Sequence, residues 1–381
     1  MRVLLGFLLA VAATISSIAS WDAARPEARS CATVVLHRGE ALLVGHNLDE
    51  AIPVPGLVVA NPRGLAKENI PYGALKPFGG TGDAPRLRWV SRYGSLTYNF
   101  FGREFPDGGL NEAGLYVGEM TLMRTEWPEG GGQARFYHNQ WMQYLLDNFA
   151  TVEEALASME KALPEGHCKW HFLLADKDGD TAVVEFLKGK PAVYRGATLP
   201  YPVLCNDPYQ PEVDEIKMFA GFGGTKDPVV RHDPEDPRFR WAAVMLKDAE
   251  PPADPDRAFA VLKRLDFGTT KWSIVYDLRA MRMWFKTSVT PKMKWVDLAA
   301  FDYQCTPAPL AMDIHADASG DVAGLFTPLT AEANRQAVQL SWKGIDAGAM
   351  GSIFFKPAMS RNIAREAGRI GCAPPGIPLP H

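Results

Sequence analysis

The residue with the most chemical promise is Cys31, thirty residues into a chain of 381 and directly ahead of the β-branched stretch Thr33–Val35. Met1-Arg2 and the apolar segment from Val3 to Ala19 have the make-up of a secretory signal peptide, and that segment is barely long enough to span a bilayer. Small residues at Ser17, Ala19 and Ser20 offer one cleavage site, and Ala28 with Ser30 offers another immediately before Cys31. Cleavage there would put an amine and a thiol on one residue. A free α-amine titrates at about 7.7–8.0 and a thiol at about 8.5, so near neutral pH the amine is matched to take the thiol proton. Nucleophile and base would then be held together without a separate histidine. A lipid-modified cysteine on an exported binding protein is the rival reading. Against it, Arg29-Ser30 stands where that processing wants small or apolar residues, and the apolar block ends well short of Cys31.

Such a nucleophile also needs a carboxylate to orient the amine and donors for an oxyanion. Asp49, in "GHNLD", returns beside Cys31 if the intervening residues fold as a hairpin. Other catalytic patterns are missing from the sequence: there is no G-x-S-x-G elbow and no H-E-x-x-H pair. "HCKWH" brings His167, Cys168 and His171 close in sequence, but no fourth metal ligand is evident. The clusters "FGGTGD", "EGGGQ" and "GFGGTKD" lack the spacing of a phosphate loop. Five cysteines is an odd number for an exported chain. Up to two disulfides among Cys168, Cys205, Cys305 and Cys372 would leave Cys31 as the free thiol, with the connectivity open.

The elements that must position these groups are mostly strands. Thr33–Leu36 pairs with Leu42–Val44, Leu96–Phe100 with Leu115–Glu119, Phe172–Ala175 with Ala182–Phe186, and "KWSIVYDL" with "MRMWFKT". "DKDGD" resembles a calcium loop but lacks its helix and distal glutamate, so it reads as a hairpin turn. From 139 to 163, apolar residues at three- and four-residue intervals predict two helices meeting near Ala150-Thr151, with Thr151 as N-cap and Glu154 completing a capping box. Residues 200 to 260, rich in Pro, Asp and Gly, predict surface loops with short helices. Strands punctuated by helices without regular alternation favour an α+β fold. No linker argues for a second domain, so residues 31–381 are expected to form one unit after a 1–30 signal peptide and any short pro-segment.

Composition narrows the partners. Without residues 1–30 the chain carries 37 basic and 42 acidic side chains, so nothing supports contacts to nucleic-acid phosphates. No later apolar run is long enough to span a membrane, and a soluble exported protein, periplasmic or extracellular, is expected.

From Cys31 onward the chain resembles the choloylglycine hydrolase family, N-terminal nucleophile amidases that include bile salt hydrolases and penicillin V acylases. After the cysteine, strand and "GHNLD", the similarity continues in order through "NPRGLAK" (61–67), "YGSLTYNFFGREFPDGGLNEAGLYVGEM" (93–120), "NQWMQYLLDN" (139–148), "PVLCNDPY" (202–209), "DPRFRWAA" (236–243) and "TKWSIVYDL" (270–278). The resemblance implies a four-layer αββα fold and hydrolysis of a linear, non-peptide amide through a thioester on Cys31. Asp49 matches the neighbouring carboxylate, Asn206 an oxyanion-hole amide, and Arg238 the arginine that braces the nucleophile. It implies no metal or organic cofactor, a small-molecule amide substrate with an apolar acyl group, and a homo-oligomer, a tetramer in the family. An acyltransferase of the same fold is the nearest alternative.

Two positions depart from the better-known members. His46 replaces an arginine, and Thr121 replaces a second oxyanion asparagine, leaving a backbone N–H for that task. If His46 lies at the arginine's place, its protonation should stabilise the Cys31 thiolate and add an ionisation near pH ~6.5. Trp89, Phe100, Phe101, Met120, Met123 and Trp127 suggest an apolar acyl pocket. N-acyl amino acids, acyl homoserine lactones, bile-salt conjugates and penicillin V all remain candidate substrates.

Overall fold

The computed structural model describes residues 31–80, 85–228, 237–247, 254–306, 308–343, 345 and 355–374. The expected signal peptide, residues 1–30, and parts of the 200–260 segment lie outside them.

Residues Ala32–Arg38 (β1) and Ala41–Asp49 (β2) form the hairpin that brings Asp49 back to Cys31. Gly39 takes the turn at φ 58°, a backbone region open to glycine at no steric cost. The hairpin belongs to a sheet in the order Val203–Leu204, β1, β2, Thr270–Asp277, Arg282–Thr287, Lys294–Asp297, Gly320–Asp321. A second, nine-stranded sheet runs from Lys190–Arg195 at one edge to Thr327–Pro328 at the other, with Leu115–Thr121 near its middle.

Alternation along the strands sorts side chains between layers. In Leu115–Thr121, Leu115 and Val117 join Trp141 and Leu145 of helix His138–Asn148, whereas Tyr116 and Met120 face the core shared with the first sheet. In Trp170–Asp176, Phe172 and Leu174 go to the helix side and Leu173 and Ala175 to the shared core. Helices Arg238–Lys247 and Pro255–Arg264 cover the other face of the first sheet. The result is helix, sheet, sheet, helix: the expected αββα layering.

Three of the four expected strand pairs form in register: Val35 opposite Val44, Phe172 opposite Val184, and Ile274 opposite Phe285. The fourth does not. Ser95–Asn99 and Leu115–Thr121 are separated by Gly108–Asn111, which pairs with both. Gly108 and Gly109 carry no strand propensity, but a Cβ on Gly108 would lie 2.2 Å from the Tyr98 hydroxyl. Glycine is needed there so that the tyrosine can cross the neighbouring strand. Near 150, Thr151 caps helix Val152–Ala157 by accepting from the Glu154 N–H at 3.2 Å, and Glu154 answers on the Ala150 N–H at 2.8 Å. That helix ends at Ala157, and Ala162–Glu165 is a strand instead of a helical turn, as Pro164 favours. In "DKDGD", Asp176 Oδ1 accepts from the N–H groups of Asp178 and Asp180, a side-chain-closed turn.

Cys305 and Cys372 form a disulfide, leaving Cys31, Cys168 and Cys205 as thiols. Among the described residues, no helix is long and apolar enough to cross a membrane.

Candidate active site

Cys31 is 5% exposed and packs among the core residues at the start of β1. Its Sγ lies 4.0 Å from the Asp49 carbonyl oxygen, a contact set by the register that pairs Ala32 with Asn47. Burial pushes the thiol well above its ordinary value, and the carboxylates of Glu119, Asp49 and Glu50 push it in the same direction. The thiol therefore stays protonated until a base removes its proton.

The Asp49 carboxylate is fully enclosed. Its Oδ1 accepts from the Thr270 hydroxyl, and its Oδ2 accepts from the Arg238 guanidinium at 3.2 Å. Burial raises its carboxyl to about 7, against the opposing pull of Thr270 and Arg238. The second guanidinium nitrogen of Arg238 donates to Asn206 Oδ1 at 3.0 Å, and Asn206 Nδ2 donates to the Thr121 carbonyl at 2.7 Å. These contacts fix which way the Asn206 amide points. A guanidinium can only donate, so the oxygen must face Arg238, and the nitrogen then faces Thr121 with one N–H left over. Arg238 sits at the first position of helix Arg238–Lys247 and over the Phe267 ring, 5.7 Å from its centroid. One guanidinium thus ties β2 to the turn carrying Asn206.

That turn has its own support, which the sequence did not single out. His171 Nε2 meets the Cys205 carbonyl at 2.6 Å, and its Nδ1 meets Glu185 Oε1 at 3.0 Å. Glu185 also accepts from the Tyr209 N–H at 2.9 Å. His171 is therefore drawn to the inside of the turn, away from the metal clip that "HCKWH" suggested. Thr270 was also missed as an Asp49 donor, although it opens a family-like segment. The Cys205 thiol beside Asn206 is buried and raised to about 12 by that burial. A cleft of about 400 Å³ is lined by Arg124, Cys205, Asn206, Glu212 and Arg238. A larger one, about 820 Å³, lies between Lys67–Val90 and Arg365–Ile370 and includes none of these groups.

The structure brings Cys31, Asp49, Asn206, Arg238 and Thr121 together but not His46. Strand alternation sends Asn47 toward the helix layer, where its Nδ2 donates to the Leu262 carbonyl at 2.8 Å, and turns His46 between the sheets. There His46 Nδ1 bonds Thr33 Oγ1 at 2.8 Å, and its ring stacks on Tyr98 with centroids 5.4 Å apart. Burial lowers its pKa to about 3, so the expected ionisation near pH ~6.5 is not available from it. The residues suggested for an acyl pocket do not gather in one place: Phe100, Phe101 and Met120 are core residues, Trp127 packs against Phe186 and Phe172, Trp89 borders the larger cleft, and Met123 is exposed.

Comparison with known proteins identifies the family. Residues 31–226 match the model of the linear amide C–N hydrolases, choloylglycine hydrolase family. The chain belongs to that family. It is 26% identical over 284 residues, 60% of this chain and 72% of the relative, to a penicillin V acylase of Pectobacterium atrosepticum. Its fold is similar to that of the penicillin V acylase of Agrobacterium tumefaciens, with a TM-score of 0.65 at 22% identity, covering 79% of this chain and 98% of that one. A conjugated bile acid hydrolase of Clostridium perfringens superposes with a TM-score of 0.58 at 15% identity, covering 77% and 98%. The protein is a linear amide C–N hydrolase with a layered αββα fold.

Proposed function

We propose that Cys31, made N-terminal by removal of residues 1–30 during export, is the nucleophile that cleaves the amide of a small N-acylated molecule. The observation that carries this reading is the Arg238 bridge, which holds the Asp49 carboxylate and the Asn206 amide in one hydrogen-bonded unit at the Cys31 thiol.

In the first half-reaction the α-amine takes the thiol proton as sulfur attacks the carbonyl carbon. The surrounding carboxylates oppose a standing thiolate but favour the ammonium that forms beside it. The oxyanion receives the spare N–H of Asn206, a donor aimed beforehand by Arg238 and Thr121. The ammonium then gives its proton to the departing amine, leaving a thioester. In the second half, the amine takes a proton from water, hydroxide attacks the thioester, and that proton passes to the leaving thiolate of Cys31. The burial of Cys31 speaks against a lipid anchor on its sulfur, which would need an exit to a membrane.

For the substrate, the family supplies the range: penicillin V, conjugated bile acids and related N-acyl amides such as acyl amino acids and acyl homoserine lactones. Incubating the purified protein with one of each and quantifying the released amine tests the reading. Amine release from at least one, lost in Cys31→Ala, supports it. No release from any of them by folded protein whose N-terminus is Cys31 contradicts it.

A further inference from the structure

Away from this site, three metal-ligating side chains converge. His138 opens the helix His138–Asn148, while His167 and Cys168 lie in the segment entering strand Trp170–Asp176. Their ligand atoms all lie within 4.8 Å of one another. His138 is wholly buried, and its ring nitrogens make no hydrogen bond of ordinary geometry, Asn139 giving a looser contact. A poorly compensated imidazole in a core is costly, on the order of 1–3 kcal/mol for a buried polar group left unpaired.

The surroundings hold these rings in place. A Cβ on Gly166 would lie 2.1 Å from His138 Cδ2, so the glycine lets the backbone press against the ring edge. Trp170 and Tyr137 pack on His138, each 4.1 Å between ring centroids. His167 stacks on Tyr72 at 5.4 Å, and its Nδ1 stands 3.5 Å from the Tyr137 hydroxyl. Ligating histidines commonly bond an oxygen through the second nitrogen. Cys168 is half-buried, which gives an ion and one further ligand a way in.

We propose that His138, His167 and Cys168 form a binding site for a borderline-soft transition-metal cation of the zinc class. Two imidazoles and a thiolate select Zn²⁺, or copper, over Mg²⁺ and Ca²⁺, which take oxygen ligands. Donors stand about 2.0–2.3 Å from zinc, so the three must close in by roughly 1 Å, with the fourth position left to water. The ion would pin the 166–169 segment to the start of the helix. Trp170, next in the chain, pairs with Thr121, whose carbonyl holds Asn206.

Cobalt(II) titration of chelator-treated full-length protein tests this. A thiolate-bound tetrahedral cobalt gives visible ligand-field bands and a near-ultraviolet sulfur-to-metal charge-transfer band. The proposal expects one ion per chain, displacement by Zn²⁺, and loss of the charge-transfer band in Cys168→Ser but not in Cys31→Ser. His138→Ala should weaken binding at least tenfold, since even losing an outer partner of a ligand costs roughly 10–100-fold. If His138→Ala does not fold, the two cysteine variants decide alone. No charge-transfer band in the wild type, or a band kept in Cys168→Ser or lost in Cys31→Ser, would overturn it.

Discussion

Two buried ionic groups in this molecule look alike and serve different ends. In one, Lys67 is clamped between Glu104 at 2.7 Å and Asp147 at 2.8 Å, with all three side chains at most 1% exposed. Trp89 and Gln143 complete the shell around Asp147. In the other, Arg238 joins Asp49 and Asn206, but its side chain is 12% exposed and lines a cleft, and a thiol lies beside Asp49. The first keeps its charged side chains out of solvent, although Lys67 and Trp89 border the larger cleft, and spends its hydrogen bonds on itself. The second leaves one Asn206 N–H uncommitted in the cluster that holds Asp49 beside the Cys31 thiol. Burial and charge alone therefore do not mark a reactive site; a reactive site keeps a donor and a path for something that is not yet there.

The contrast can be broken at either end. The largest effect is expected from Cys31→Ala: loss of turnover to background, on the order of 10⁶-fold where a nucleophile of this kind is removed, with an unchanged melting temperature. Activity assays and calorimetry on the same sample check both halves. Next comes Lys67→Ala, which takes the cation from between two buried carboxylates, leaves Glu104 with the more distant Arg103 at 3.5 Å, and should cost about 3–5 kcal/mol of stability. Denaturant unfolding measures it, and the surviving folded fraction should keep normal turnover. A large loss of turnover per folded molecule would mean that the Lys67 network is not separate from catalysis.

Asn206→Ala should lower kcat by about a hundredfold to a thousandfold, because an oxyanion donor acts only along the reaction path. KM should move little. Near-normal kcat in the folded variant would remove Asn206 from the mechanism.

The smallest effects concern pH. His46, with its folded pKa lowered to about 3 from an ordinary 6.5, stays neutral in the folded state while the unfolded chain takes up a proton. It contributes stability that is present above the unfolded value and is lost as pH falls from about 6.5 toward 3. Asp49, raised to about 7, has the opposite sign: its contribution is complete below its ordinary value and fades as pH rises through about 7. His46→Gln should flatten the acid side of the stability curve and leave the pH–rate profile unchanged. A shifted rate profile would return His46 to the active site.

Much of this was legible in the residues. The β1–β2 hairpin was, because two apolar runs, the first of them β-branched, flank a turn, and with it the return of Asp49 to Cys31. The segments carrying Asn206 and Arg238 were legible by resemblance. What failed, failed for physical reasons. Both faces of β2 are buried, so no polar–apolar alternation reveals that His46 turns away from Asp49. Gly108–Asn111 has a strand's place without a strand's composition, because Tyr98 needs the space. The side chain that tertiary packing brings beside His167 and Cys168 is His138, far off in sequence, while His171 is drawn off by Glu185 and a carbonyl.

The central claim is that the reactive unit is a single residue, Cys31, carrying both thiol and free α-amine. The direct test is to determine the N-terminus of active protein and to assay a variant whose residue before Cys31 cannot be removed. That variant keeps the thiol but converts the amine to an amide, which cannot act as a base. The account predicts that active protein begins at Cys31 and that the blocked variant, folded and with its thiol titratable, is nearly inactive. Full activity from protein shown by intact mass to retain Ser30 would contradict it.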